Sequence, residues 1–508
     1  MAGDDALLIG VDVGTTNTKA VVFDRTGATV SSAGAPTPTH YPRPGWAFSQ
    51  PEELWNCVVS ALRDATGRLE DVRQVAGIAV ASVAEAGVPL DSHGAPTSDS
   101  IAWFDRRTGP QLEHLREVVG DERLIATTGL PMQPIASLCK MLWLKDHEPE
   151  AWGRATMWLN IADYIAFRLC GEAATDYSLG SRMLAMDLKR LEWSHELVSA
   201  AGIVPGVLAP LCPSGTALGT VTTEAAEATG LHTRVLVSTG GHDHICGALA
   251  AGVTEPGTML DSLGTAEALF LALGEPLAGV DAGRSGYAQG AHVAPGKHYV
   301  LGGIYTSGAS VDWVCDTVAE GVERDVLIRE ARAAPPGSLG VAFLPHLRLA
   351  NAPNPDAKAR GAFVGLTTDV ERGALVRAVF EGLALEFRRC VEPLLAHAGM
   401  EGLRDIYAIG GGARNELLMR IKATVMNQTF AEIGVAEAAS LGAAILAGLG
   451  AGVYEDVPSA LAEITYETAH IEPMTEHVET YDLLYRRVYA EMYDTLRPLH
   501  RALHDLSS

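Results

Sequence analysis

The chain has 508 residues, 47% of them hydrophobic and 20% charged, which is more apolar material than one ordinary core absorbs and suits two globular domains. Its formal charge of −24 excludes a broad nucleic-acid or anionic-membrane surface. Seven scattered cysteines with no C-x-x-C pair exclude a disulfide frame or zinc knuckle and suit the reduced thiols of a cytoplasm. The opening MAGDDALLIG is acidic and lacks a basic segment before a long apolar run, so no secretory leader is expected. No run of about 18 apolar residues occurs, so no membrane span is expected.

In chain order, LLIGVDVGTTNTKAVVFD (7–24) reads as two strands joined by a Gly-Thr-Thr turn. Leu54, Val58, Leu62 and Ala65 share one face of a helix over 52–70, and VAGIAVASV (75–83) reads as a buried strand. Helices are expected over 110–119, 137–147, 161–170 and 224–229, then a strand over 234–241. GGHDH (240–244) follows, and HICGALAAG has the small residues of a tightly packed helix. The plan then begins again: GTMLDSLGTAEALFLAL (257–273) repeats strand, Gly-Thr turn and strand. Further strands end in glycine within 299–310 and within 406–422, the second leading into a helix, and helices close the chain over 436–451 and about 477–505. The pattern predicts α/β domains over 1–250 and 251–508, with an internal duplication.

Each Gly-rich turn follows an apolar strand, where sheet-end crevices bind ligands. Glycine lets backbone N–H groups approach phosphate oxygens, and threonine hydroxyls and Lys19 add donors. Two such turns opening two halves, with GGGARN ahead of a helix, fit a polyphosphate gripped between domains. Asp12, just before the first turn, suits Mg2+ held through water. For GGHDH three readings stand: a metal site, a catalytic base at Asp243, or a plain strand-to-helix turn.

Several motifs together resemble the FGGY family of carbohydrate kinases. IGVDVGTTNTKAVVFD is similar to its first phosphate motif, DSLGTAE to its second, and GGGARNELLMRIKATVMNQ to its adenosine motif. IAWFDRRT (101–108), SLCKMLWLKDHEPE (137–150), 160–187 and 361–388 follow its pattern too, so the likeness runs from about residue 7 to 495. It implies two actin-like, ribonuclease-H-like domains around an ATP cleft. It also implies ATP and Mg2+ as cofactors, a small sugar or polyol as partner, and a homodimer as a possible assembly.

Residue by residue, the resemblance implies Asp243 as general base, its ionised form favoured by the dipole of the helix that follows. Thr15, Thr16, Asn17 and Lys19 should face the terminal phosphates, with Gly264 and Thr265 opposite. Gly308 and Asp312 should line the nucleotide site, and Gly411, Gly412 and Asn415 should approach adenosine. Glu85, Trp103 and His244 should line the acceptor pocket, with His242 packing or hydrogen-bonding behind the strand end. A carboxylate such as Glu85 can accept two hydroxyl hydrogen bonds.

Departures bear on the substrate. Ala84-Glu85 stands where glycerol kinases carry Arg-Glu and xylulokinases usually carry Met-His, and Ile135 replaces the tyrosine of glycerol kinases. Ala266 stands where serine is common, and 344–361 lacks a Gly-Glu-Arg triplet, near 349–351. A ketose such as a pentulose ranks first, a linear polyol second and glycerol a distant third. An actin-like or chaperone-like ATPase without a small acceptor, and a His-Asp-His metallohydrolase, are the readings from other classes.

Overall fold

The computed structural model describes residues 5–507. The first four residues, part of the start expected to lack a leader, lie outside that range. Aliphatic runs build two large sheets. In the first, β1 (Leu7–Val13), β2 (Asn17–Phe23) and β3 (Thr29–Pro36) form an antiparallel meander. β4 (Val75–Ser82) lies parallel to β1, β5 (Ala217–Thr220) is the edge, and β6 (Leu236–His242) lies parallel to β4, giving the order β5-β6-β4-β1-β2-β3.

The second sheet repeats this plan. β7 (Thr258–Leu263) and β8 (Glu267–Leu273) form the hairpin; β9 (Ala288–Ala291) and β10 (His298–Ile304) extend it. β11 (Asp405–Ile409) and β12 (Phe430–Ile433) continue in parallel, and β13 (Thr468–Ile471) closes the order β9-β10-β8-β7-β11-β12-β13. β1, β2, β3, β4 and β6 thus correspond in order and direction to β7, β8, β10, β11 and β12. That shared topology is the expected duplication, in the actin-like, ribonuclease-H-like form.

Helices cover the faces. α1 (Pro51–Thr66) and α2 (Ser137–His147) belong to the first half, with α3 (Ile161–Cys170) and α4 (Asp243–Ala250). α5 (Gly308–Trp313), α6 (Arg372–Ala398), α7 (Glu416–Met426), α8 (Ala438–Gly450) and α9 (Ala490–Ser507) belong to the second. The sequence reading did not single out β3 or the 27-residue α6, whose buried residues occur on all sides and leave no clean stripe.

α8 crosses between the halves. It packs on α4, β1 and β4, so Ala79, Ala81, Ile245, Leu249, Ile445 and Leu446 share one buried cluster. Small residues make this approach possible. A Cβ on Gly10 would stand 1.7 Å from the Ser440 carbonyl oxygen, and one on Gly442 would stand 2.0 Å from that of Cys246.

Candidate active site

Both phosphate-type turns are tight three-residue connections: Gly14 N–H donates to the Asn17 carbonyl at 3.1 Å, and Gly264 N–H to that of Ala266 at 2.9 Å. Each ends a strand pointing at the gap between the sheets. There, one cavity of about 380 Å³ is lined by Thr15, Glu85, Trp103, Asp243, His244 and Gly264. An adjoining space of about 210 Å³ is lined by Asp12, Asp243, His244 and Ala438. Residues more than 400 positions apart in sequence therefore meet at one cleft.

Asp243 is the first residue of α4. Its Oδ1 lies 3.2 Å from His242 Nε2 and accepts the His244 backbone N–H at 2.6 Å. Burial raises the pKa of Asp243, against the lowering effect of His244, and Glu85 raises it further. The helix dipole expected to favour the ionised form is thus outweighed by desolvation. His242 is buried, donates its backbone N–H to the Ser178 hydroxyl oxygen at 2.9 Å, and is held neutral, its pKa pulled well below the ordinary value by burial and then by His244 and Arg182. It also reaches the cavity wall rather than only backing the strand. His242, Asp243 and His244 bring ligand atoms within 4.8 Å of one another; among the described residues no fourth histidine, cysteine or carboxylate joins them.

Asp12 is the natural place to test for a divalent cation. Its buried Oδ1 has no hydrogen-bond partner. Burial, then Asp243 and Glu437, push its pKa up to about 8, against the pull of Lys19. A carboxylate crowded by two others, with one oxygen unsatisfied, fits the hard-oxygen chemistry of Mg2+. Lys19 is ion-paired with Glu437 at 2.7 Å, at the head of α8. Sequence reading missed Glu437, which lies 418 residues from Lys19.

Thr16 and Asn17 are exposed at the rim. Trp103 donates its indole N–H to Thr15 Oγ1 at 2.9 Å, tying a cavity wall to the first turn. Gly308 and Ala309 N–H groups donate to the carbonyls of Gly264 and Thr265, both at 3.1 Å, stitching α5 onto the second turn. A Cβ on Gly308 would be 2.6 Å from the Gly264 oxygen, so the residue is fixed as glycine by packing as well. Asp312 pairs with Arg324 at 3.0 Å on the surface. Above Gly411 the space is open, whereas Gly412 sits against Leu263. Asn415 Oδ1 accepts the Leu418 N–H at 3.2 Å and so caps α7, leaving its amide nitrogen for other contacts.

Three further features of the site were not foreseen. Glu85 Oε1 takes both contacts from the partly buried Arg182, Nε at 2.7 Å and Nη2 at 2.5 Å, so this carboxylate meets an acceptor already half engaged. Asn351, from the segment lacking the Gly-Glu-Arg triplet, reaches the cavity together with Gln133 and Ile135. Beneath the second turn, fully buried Lys422 bridges Asp261 and Glu267, the latter at 2.8 Å, while Ser307 Oγ donates to Glu267 at 2.6 Å. Only the short-range parts of these networks carry a sequence signal. Glu85 and Arg182 are 97 residues apart.

Models of the FGGY family of carbohydrate kinases match residues 7–250 with their N-terminal domain and 259–451 with their C-terminal domain. The chain belongs to the FGGY family of carbohydrate kinases. This FGGY kinase is 28% identical to the xylulose kinase of Bacillus subtilis over 98% of both chains. It is 30% identical to the glycerol kinase of Thermococcus onnurineus over 89% of this chain and 90% of that one. It superposes on the crystal structure of xylulose kinase from Rhodospirillum rubrum with a TM-score of 0.90 at 31% identity, covering 97% and 100% of the two chains. The FGGY kinase is therefore a sugar kinase with ATP as its phosphoryl donor. No helix among the described residues is long and apolar enough to cross a membrane.

Proposed function

We propose that this FGGY kinase transfers the γ-phosphoryl group of ATP to a hydroxyl of a small ketose, a pentulose first, with Asp243 as general base and Mg2+ held near Asp12. The observation that carries the reading is the single cavity lined at once by Asp243, Glu85, Trp103, Thr15 and Gly264. Phosphoryl transfer is chiefly alignment and charge neutralisation, and these residues supply both. Asp243 accepts the proton of the attacking hydroxyl; its burial and raised pKa bring it nearer to the working range of a base at neutral pH. In this reading the backbone amides of the two turns, with Thr15, Thr16, Asn17 and Lys19, neutralise the phosphates, Thr265 and Asp312 serve the nucleotide from the second half, and the open space above Gly411 receives adenosine. Mg2+, when bound through Asp12, would offset phosphate charge.

At the acceptor end, Glu85 accepts from one hydroxyl and Trp103 offers a flat face to C–H groups. Kinship with xylulose kinases supports the pentulose, while Ala84 and Ile135 leave this pocket without the arginine and tyrosine of glycerol kinases. A linear polyol is the alternative acceptor. The test is a coupled assay of ADP release with pentuloses, hexuloses, tetritols, pentitols and glycerol. Turnover greatest with a pentulose supports the reading. Stimulation only by polyols replaces the acceptor, and stimulation by none overturns the proposed acceptor and puts it outside these classes.

A further inference from the structure

Lys140 lies in the first turn of α2 and is fully buried. Its Nζ donates to the carbonyl oxygen of Glu85 at 2.6 Å and to that of Ala102 at 3.0 Å. No carboxylate stands within ion-pair distance of it among the described residues. An ammonium taken wholly out of water without a bonded counter-ion is costly, so it marks a place where the structure needs those donors. The two carbonyls belong to the two loops that carry Glu85 and Trp103 into the cavity. One of those loops is strained, for Glu85 is a non-glycine residue at φ 61°, a conformation that persists only when the surroundings over-determine it. The other loop is pinned independently, since buried Asp105 accepts from the Ala47 N–H and from Arg107.

We propose that Lys140 is a positioning residue of the acceptor pocket: by holding the Glu85 and Ala102 carbonyls together, its ammonium sets where the Glu85 carboxylate and the Trp103 indole stand. This rests on the acceptor-pocket reading above and deepens it. Lys140 touches no reacting atom itself. Its grip is strongest when charged, because an ammonium donates more strongly to carbonyls than a neutral amine does. Burial pulls its pKa down to about 7, while Glu85 and Asp105 favour the charge, weakly joined by Cys139, and Arg107 opposes it. The hold therefore slackens as pH rises past neutrality.

The test uses the full-length enzyme, Lys140→Met, and D-xylulose as probe. Expected is an acceptor KM raised about tenfold or more with the ATP KM within about twofold, the loss that a small misplacement of a binding group produces. From about pH 6 to about pH 8 the acceptor KM of the wild type should climb, while that of the variant stays level. An unchanged acceptor KM, or equal rises for sugar and ATP, overturns the proposal. Should wild-type enzyme not use D-xylulose, this pentulose is excluded as acceptor, and hydrogen exchange in the ligand-free protein decides on Lys140. Faster exchange at 83–86 and 101–104 in the variant, with the 14–16 turn unchanged, supports it, and equal exchange refutes it. If Lys140→Met does not fold, Lys140→Gln, which keeps a donor without the charge, takes its place. It should show a smaller rise in acceptor KM and the same loss of pH dependence; a wild-type pH profile in this variant also refutes the proposal.

Discussion

The Lys19 ammonium and the Glu437 carboxylate meet at 2.7 Å across the gap between the first phosphate turn and the head of α8. Both side chains keep 42% and 32% of their exposure, so the bond is screened and contributes at most about 1 kcal/mol to stability. A phosphate arriving at the first turn competes for the same ammonium. Lys19→Met should therefore leave the melting temperature almost unmoved while lowering kcat/KM for ATP by about 10²-fold or more. Thermal unfolding beside steady-state kinetics separates the two effects, and a variant that is fully active would remove Lys19 from the phosphate site.

Asp243→Asn keeps the size of the side chain and removes the base. Turnover should fall by about 10²–10⁴-fold. Affinity for ATP, measured by calorimetry, should change little. Retained sugar phosphorylation would rule out the assigned role.

The Asp12 carboxyl makes metal-free stability depend on pH in an unusual direction. Its pKa is about 8 in the folded chain against 3.8 as an ordinary aspartate, so between those values the folded state holds more protons than the unfolded. Stability then falls as pH rises through that window, and the whole penalty is present above about pH 8. Asp12→Asn should flatten the slope, and added Mg2+ should raise the melting temperature of the wild type most at the alkaline end. Melting scans across pH with and without the metal check this. A slope identical in the variant would refute it.

Lys422→Met should be the most damaging of these substitutions to the fold. It strands Asp261 and Glu267, both fully enclosed, without their shared cation. Breaking a buried pair from one side costs about 3–5 kcal/mol. Denaturant unfolding measures it, and adding Asp261→Asn to the variant should recover part of the loss.

Much of this architecture was readable from residue order. Alternating apolar runs gave both hairpins, and the Gly-Thr turns gave their place at the strand ends, because both signals are local. α6 stayed hidden since a helix enclosed on every side shows no periodicity. The Glu85–Arg182 and Lys422–Asp261 pairs stayed hidden for another reason: pairing across 97 and 161 residues leaves no trace in one chain. The raised pKa of Asp243 was misjudged from sequence because a helix start is visible there and its desolvation is not.

The seating of α8 on β1 and β4 limits how this molecule can be cut. An N-terminal fragment expressed alone would bare Leu8, Ala79 and Ala81, which α8 and its neighbours now cover. Such a half-protein should aggregate, so the duplicated plan is visible in the drawing of strands yet neither copy is a free-standing unit.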